Sequence, residues 1–162
     1  MSRFKPYMCL LAAVPLFCAS CSEPAARPLR LVVLDPGHFH ASLLQKNALA
    51  ELSDTVRVYA PEGAEVGQYL AAVASYNERA EEPTSWQEVV YTGPDYLERM
   101  IGDRAGDLVV LAGNNQKKTD YILESVKAGY HVLSDKPLAI CREDFDMLRE
   151  AYAEAHRRGV WI

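Results

Sequence analysis

Four groups of residues in this sequence could bind a ligand or take part in chemistry. The first is the run Asp35-Pro36-Gly37-His38-Phe39-His40, which holds one carboxylate and two imidazoles. The others are Glu62, the triplet Gly113-Asn114-Asn115 and the triplet Asp135-Lys136-Pro137. Carboxylates, imidazoles and amines can act as acids or bases, and a glycine lets a ligand approach the backbone closely.

Each of these groups comes after a short apolar run that predicts a β-strand. Runs rich in valine and leucine, bounded by proline, glycine or aspartate, are typical of buried strands. We predict strands over 29–34, 55–59, 88–91, 107–112 and 131–134, with a sixth strand beginning over 159–162. We predict helices over 40–52, 64–80, 94–102 and 142–157, and another that ends before Gly129.

This alternation of strands and helices predicts an α/β fold, a doubly wound parallel sheet with helices on both faces. In such sheets ligands bind beyond the carboxyl ends of the strands, at the point where the strand order reverses. All four polar groups fall at predicted carboxyl ends, and this coincidence is the main indication of a functional site.

Three segments together resemble the N-terminal domain of the Gfo/Idh/MocA oxidoreductases. Leu34–Ala41 stands at the family's glycine-loop position, and Val110–Asn115 matches its strand followed by a Pro-Asn-type loop. Ala128–Ala139 is similar to the family signature aGkhVlxEKPla, with aspartate in place of glutamate. The resemblance covers 29–162 and implies a Rossmann-like domain that binds NAD or NADP. It also implies hydride transfer to or from a sugar, polyol or related carbohydrate.

The resemblance assigns roles to individual residues. Lys136 would lie near the nicotinamide and the substrate hydroxyl, where it could assist proton transfer, and is the predicted catalytic residue. Glu62 lies 25 residues after Gly37 and is the predicted partner of the ribose hydroxyls, which favours NAD over NADP. The predicted cofactor-binding residues are these three together with His38, Phe39, His40, Gly113, Asn114, Asn115, Asp135 and Pro137.

The glycine loop departs from the family pattern G-x-G-x-x-G, because Asp35 and His40 replace its first and third glycines. A helix that begins near His40 could still present N–H groups to a phosphate.

Two alternatives to an oxidoreductase remain. One is a ligand-binding or regulatory protein without catalysis. Another is a metal-dependent hydrolase, since His38 and His40 also resemble the His-x-His metal site of amidohydrolases. The chain is short for the roughly 250-residue barrel of such hydrolases.

The first twenty residues predict an exported protein. Arg3 and Lys5 precede an apolar or small-residue run, Tyr7–Ser20, which is typical of a signal peptide and too short to span a bilayer. Small residues before Cys21 resemble a lipobox, with Cys18 where leucine is usual. We expect Cys21 to be lipidated and to anchor the protein to a cell-envelope membrane. An ordinary secretory signal cleaved near Ser20 is the alternative.

Size and charge complete the predicted organisation. We expect a signal peptide over 1–20, a tether over 21–28 and a dinucleotide-binding domain over 29–162. The formal net charge of −5 argues against a surface that binds nucleic acid. Family enzymes carry a second α/β domain with the substrate pocket and the oligomer interface. We expect this chain to stop before that domain, to be inactive alone, and to form a homo-oligomer only with it.

Overall fold

The computed structural model describes residues 27–162, which form an α/β fold around one parallel sheet. The strands are β1 (Leu31–Leu34), β2 (Thr55–Ala60), β3 (Gln87–Thr92), β4 (Leu108–Leu111) and β5 (His131–Ser134). The helices are α1 (His40–Leu43), α2 (Ala64–Glu78), α3 (Tyr96–Asp103), α4 (Lys118–Lys127) and α5 (Arg142–Arg158). The predicted fold class is confirmed, and apart from the first helix and the sixth strand the predicted boundaries lie within two residues of these.

The strand order reverses between β1 and β4. The sheet runs β3-β2-β1-β4-β5, so the chain first builds outward from β1 to β3 and then returns to add β4 and β5. Val33 pairs with Val58 of β2 on one side and with Val110 of β4 on the other. The carboxyl ends of β1 and β4 therefore flank the crevice where open α/β sheets bind their ligands.

Two apolar layers cover the sheet, and β1 contributes to both. Val32 and Leu34 pack in the layer formed with α3, α4 and α5, whereas Leu31 and Val33 pack in the layer formed with α1 and α2. Successive side chains of a strand point to opposite faces. The uninterrupted apolar sequence of β1 thus reflects a central strand that is buried on both faces.

The first helix is much shorter than the predicted 40–52, because α1 ends at Leu43 and turns follow it. In a continued helix the carbonyl oxygen of Gln45 would accept a hydrogen bond from the amide four residues later. Here it accepts one from the indole Nε1 of Trp86 at 2.6 Å, and the Gln45 side chain is buried against Tyr69 and Glu88. Tertiary contacts of Gln45 therefore replace helical ones.

Residues 159–162 do not form the expected sixth strand, although they run beside β5. The amide of Val132 donates to the carbonyl oxygen of Trp161 at 2.8 Å. The amide of Trp161 donates to Nδ1 of His131 at 3.1 Å instead of to a backbone carbonyl. The ladder of backbone hydrogen bonds is thereby interrupted after one bond.

The predicted signal peptide, most of the predicted tether and Cys21 lie outside the described residues. Arg27, near the end of the predicted tether, forms an ion pair with Asp107 at 2.7 Å. Within residues 27–162 no helix combines the length and the hydropathy needed to cross a membrane.

Candidate functional site

The loops after β1 and β4 cross at two glycines. Pro36 and Gly113 form an isolated antiparallel bridge between these loops. A Cβ added at Gly113 would lie 2.1 Å from the carbonyl oxygen of Asp35, and one at Gly37 would lie 3.3 Å from Cα of Gly113. A side chain at 113 would force the loops apart, so its glycine is what allows the two strand ends to meet.

Two amides of the loop after β1 are used within the protein. The N–H groups of Gly37 and His38 both donate to the carbonyl oxygen of Ala112, at 3.1 and 3.0 Å. In a typical Rossmann loop such amides and the following helix face the pyrophosphate. Here these two amides join the loop to the end of β4, and α1 has only four residues. Helix α1 begins at His40 as predicted, but it ends after one turn instead of at 52, which is the part of the prediction that needs correction.

Asp35 takes the place of the first glycine of the loop and has a left-handed backbone conformation, with φ at +47°. Aspartate is among the residues that tolerate this left-handed region. Its Oδ2 accepts a hydrogen bond from the hydroxyl of Tyr121 at 2.7 Å, and that hydroxyl also contacts the hydroxyl of Tyr96. Burial, with Tyr96 and Asp35, raises the pKa of Tyr121, so Tyr121 remains a protonated donor.

His38 and His40 meet Asp135 across the crevice. Nδ1 of His40 lies 3.1 Å from Oδ2 of Asp135, and Nδ1 of His38 lies 3.8 Å from the same oxygen. The two imidazole rings are edge-on to each other, with centroids 4.3 Å apart. Three residues that the sequence placed at two separate strand ends are thus brought into one cluster.

Lys118 completes this cluster and was missed by the sequence analysis. Its side chain is only 2% exposed, and its Nζ donates to Oδ1 of Asp135 at 2.5 Å and to the Asp135 carbonyl oxygen at 3.2 Å. Burial opposes ionisation of Asp135, but the hydrogen bonds from Lys118 and His40 outweigh it and lower the pKa of the carboxyl. The available signal was helical spacing, because Lys118 precedes the buried Tyr121 and Ile122 by three and four residues.

A cavity of about 330 Å³ lies between the loop after β1 and helix α2. Gly37, His38 and Phe39 line it from the loop, while Glu65 and Gln68 line it from the helix. The sequence analysis missed Glu65 and Gln68, which lie in the first and second turns of α2 and belong to no motif. Glu62 is exposed in the short loop between β2 and α2.

The remaining predicted residues lie at the ends of β4 and β5. Lys136 and Pro137 are exposed directly after Asp135, and the peptide bond between them is cis. Asn114 and Asn115 are exposed after β4. The side-chain oxygen of Asn114 accepts from the amide of Gln116 at 2.9 Å, which stabilises the turn before α4.

Sequence and structure comparisons agree on the relatives of this chain. The model of the Gfo/Idh/MocA oxidoreductase family, described as an NAD-binding Rossmann fold, matches residues 37–162. The crystal structure of a candidate oxidoreductase from Parabacteroides merdae is 47% identical and superposes with a TM-score of 0.82 over 83% of this chain and 31% of that one.

Two further relatives are enzymes with named substrates. A 1,5-anhydro-D-fructose reductase from Ensifer adhaerens is 36% identical over 64 residues, which are 40% of this chain and 18% of that protein. The scyllo-inositol dehydrogenase of Lactobacillus casei, solved with NAD(H) and scyllo-inositol, is 13% identical and shares the fold, with a TM-score of 0.56 over 81% of this chain and 34% of that one. The chain thus spans about a third or less of the length of these relatives. It belongs to the Gfo/Idh/MocA oxidoreductase family and carries that family's NAD-binding Rossmann domain.

Proposed function

We propose that this chain supplies the dinucleotide-binding domain of an oxidoreductase that moves a hydride between NAD(P) and a sugar, polyol or related carbohydrate. The observation that carries the proposal is the crevice at the strand reversal. The ends of β1, β4 and β5 meet there, and the residues that follow them include the amine of Lys136 and the carboxylate of Asp135.

The described residues offer a place for part of a dinucleotide beside this crevice. The cavity beside Gly37, at about 330 Å³, is within the range of small-molecule sites. Glu65 lines that cavity, and Glu62 is exposed in the loop just before the same helix. Carboxylates accept hydrogen bonds from ribose hydroxyls and would repel a 2′-phosphate, so we propose that NAD is preferred to NADP.

In the proposed chemistry, the amine of Lys136 binds the proton that the substrate hydroxyl releases. When bound, the nicotinamide ring accepts or supplies the hydride. Oxidation of an alcohol to a carbonyl also releases the hydroxyl proton, which an amine beside the hydroxyl can bind. Lys136 is exposed beyond the end of β5, so its amine can reach a substrate placed over the crevice. Pro137 and Asp135 fix the backbone on either side of this lysine.

The proposed substrate class rests on relatives rather than on a pocket in this chain. Relatives of this domain include a reductase of 1,5-anhydro-D-fructose and a dehydrogenase of scyllo-inositol. Both compounds carry several hydroxyl groups on a ring. Because these relatives are much longer than this chain, we propose the activity for a whole protein that also carries a substrate domain.

Calorimetry of the full chain with NAD and with NADP tests the proposed function. We expect NAD to bind more tightly than NADP, and Glu62→Gln to weaken NAD about tenfold, the effect of losing one hydrogen bond to a charged group. Glu98→Gln, an exposed change on α3, is the matched control. If neither dinucleotide binds, the proposal is wrong. If the whole protein binds a dinucleotide but transfers no hydride, the result would support the alternative of a ligand-binding or regulatory protein without catalysis.

We also propose that the protein is exported and attached to a cell-envelope membrane by a lipid on Cys21. Three sequence features support this proposal: the basic Arg3 and Lys5, the apolar run that follows them, and the small residues before Cys21.

A further inference from the structure

We propose that His38, His40 and Asp135 form a binding site for one divalent transition-metal ion, such as Zn²⁺, at the mouth of the crevice. This inference goes beyond the proposed function, because the three side chains could hold the ion with or without a dinucleotide. It rests on the positions of ligand atoms from two separate strand ends.

The distances suit a single ion. Each of the three residues offers one ligand atom, and these atoms all lie within 4.8 Å of one another. Zinc bonds to histidine nitrogen and carboxylate oxygen are about 2.0–2.2 Å long, so two ligands of one ion are about 3–4 Å apart. Oδ2 of Asp135 lies 3.1 Å from Nδ1 of His40 and 3.8 Å from Nδ1 of His38. Small side-chain rotations would bring all three atoms within bonding distance.

The types of ligand select the class of metal. Imidazole suits Zn²⁺, Fe²⁺, Co²⁺ and Ni²⁺, whereas Mg²⁺ and Ca²⁺ prefer sites made of oxygen alone. Three protein ligands leave a coordination position open, as in catalytic rather than structural zinc sites. That position can be reached from solvent, since the side chains of His38 and His40 are 45% and 34% exposed.

Lys118 donates a hydrogen bond to only one of the two carboxylate oxygens of Asp135. It donates to Oδ1 and leaves Oδ2, the oxygen nearest both histidines, for the ion. A ligating carboxylate held by a further hydrogen bond is the usual outer-shell arrangement of metal sites. The ammonium charge also repels a cation, so we expect weaker binding than in a structural zinc site.

A simple ion pair does not account for both histidines. Lys118 already neutralises the Asp135 carboxylate, and the contact with His40 occupies Oδ2. Nδ1 of His38 lies 3.8 Å from the same oxygen, too far for a hydrogen bond, and accepts only a long one, of 3.4 Å, from the backbone N–H of His40. The two rings, with centroids 4.3 Å apart, are close enough for one metal ion to use both of them.

Titration of the purified full chain with Zn²⁺ in a calorimeter, without dinucleotide, tests the site. We expect one ion per chain, and binding at least about 100-fold weaker in His38→Ala and in His40→Ala, a larger loss than removal of an outer-shell partner causes. His156→Ala is the matched control, because His156 is exposed on α5, and it should bind as the parent does. No stoichiometric binding, or an equal loss in all three variants, would overturn the proposal.

A second measurement needs no substitution. Addition of Co²⁺ to the parent chain should shift the ring-proton NMR signals of two histidines strongly and leave those of His131 and His156 in place. Unshifted signals for His38 and His40 would overturn the site even if a variant failed to fold. If the parent chain binds NAD but no zinc, the metal site alone is refuted. Loss of NAD binding with zinc binding retained refutes the proposed function alone.

Discussion

The ammonium of Lys118 donates a hydrogen bond of 2.5 Å to Oδ1 of Asp135, although the Lys118 side chain is almost completely buried. This pair joins the start of α4 to the end of β5, immediately before the exposed Lys136. It therefore fixes the backbone from which the proposed catalytic lysine extends. The pair also holds the carboxylate that faces both histidines of the β1 loop.

Replacement of Lys118 by methionine should lower the free energy of unfolding by about 2–3 kcal/mol, because it leaves a partly buried carboxylate without its main partner. We expect less than the full cost of a broken buried pair, since the Asp135 side chain is 18% exposed and keeps His40. Urea denaturation at neutral pH measures the change. Lys46→Met, at an exposed lysine, should alter stability by less than about 0.5 kcal/mol. Equal stability of the two variants would show that the pair contributes little.

The order of the elements could be predicted from the sequence because it depends on local patterns. Apolar runs, proline and glycine mark the ends of strands and helices, and five of the six strands that these signals predict agree with the structure. The length of α1 could not be predicted, since it depends on a contact between Gln45 and Trp86. These two residues are far apart in the chain, and no periodicity in either segment indicates that they meet.

In the candidate site too, some features could be predicted from local patterns and others depend on tertiary contacts. Its strand-end residues could be predicted as a group, because parallel strands bring their carboxyl ends to one edge. Which of them make contact could not, since that depends on how far each loop extends over the sheet. The contacts of His40 and of the buried Lys118 with Asp135 occur beside the crossing of the loops at Gly113, and no local pattern in the sequence indicates either feature.

Gly113→Ala should destabilise the protein by about 1–3 kcal/mol, the usual cost of forcing an extra methyl group into a packed site. The added Cβ would lie 2.1 Å from the carbonyl oxygen of Asp35, a backbone atom that can move only with its loop. Thermal unfolding measures the effect, and dinucleotide affinity should fall with it.

Gly67→Ala is the control, because a Cβ there meets nothing within 4 Å. Gly67 lies in α2, so its replacement by alanine should stabilise by about 0.5–1 kcal/mol. A tolerated alanine at 113 would refute the close crossing.

Asp107 should make stability depend on pH in the acidic range. Hydrogen bonds from Arg27 and then from Arg30 hold the pKa of Asp107 well below its usual range. A carboxyl with a lowered pKa in the folded state stabilises the protein above its unfolded pKa of about 3.9, and this contribution is lost as the pH falls through the folded value. We therefore expect Asp107→Asn to be less stable than the parent at neutral pH. The difference should shrink as the pH falls below about 4, because the unfolded carboxyl then binds a proton while the folded one stays ionised.

Urea denaturation at several pH values measures this convergence. Asp54→Asn, at an exposed aspartate, serves as the control and should follow the parent at every pH. A constant difference between parent and Asp107→Asn across the range would show that the charge of Asp107 does not matter to folding.

The proposed lipid anchor predicts a modified N-terminus. Mass spectrometry of membrane-extracted protein should find a lipidated peptide that begins at Cys21, because the small residues before it resemble a lipobox. Cys21→Ser should abolish the modification, whereas Cys9→Ser, within the apolar run, should leave it intact. A soluble, unmodified product that starts at another residue would contradict the proposal and favour an ordinary secretory signal.

Lys136→Met should reduce turnover without disturbing the fold. The Lys136 side chain is exposed beyond the end of β5, so its removal leaves no buried charge unpaired and should change stability by less than about 0.5 kcal/mol. If its amine binds the substrate proton, turnover in the whole protein should fall by about 10²- to 10⁴-fold. Dinucleotide affinity should fall much less, because the cavity that we propose for the dinucleotide lies between the loop after β1 and α2, and Lys136 does not line it.

The assay is hydride transfer at saturating cofactor, with sugars and polyols as substrates, in the whole protein that carries this domain. Lys127→Met is the matched control, since Lys127 is an exposed lysine on α4 outside the crevice, and it should keep the parent turnover. Near-normal turnover of Lys136→Met on an accepted substrate would remove Lys136 from the mechanism and leave the family assignment intact. If Lys136→Met unfolds, Lys136 has a structural role instead. Removal of an exposed lysine that takes part only in the reaction would leave the fold stable.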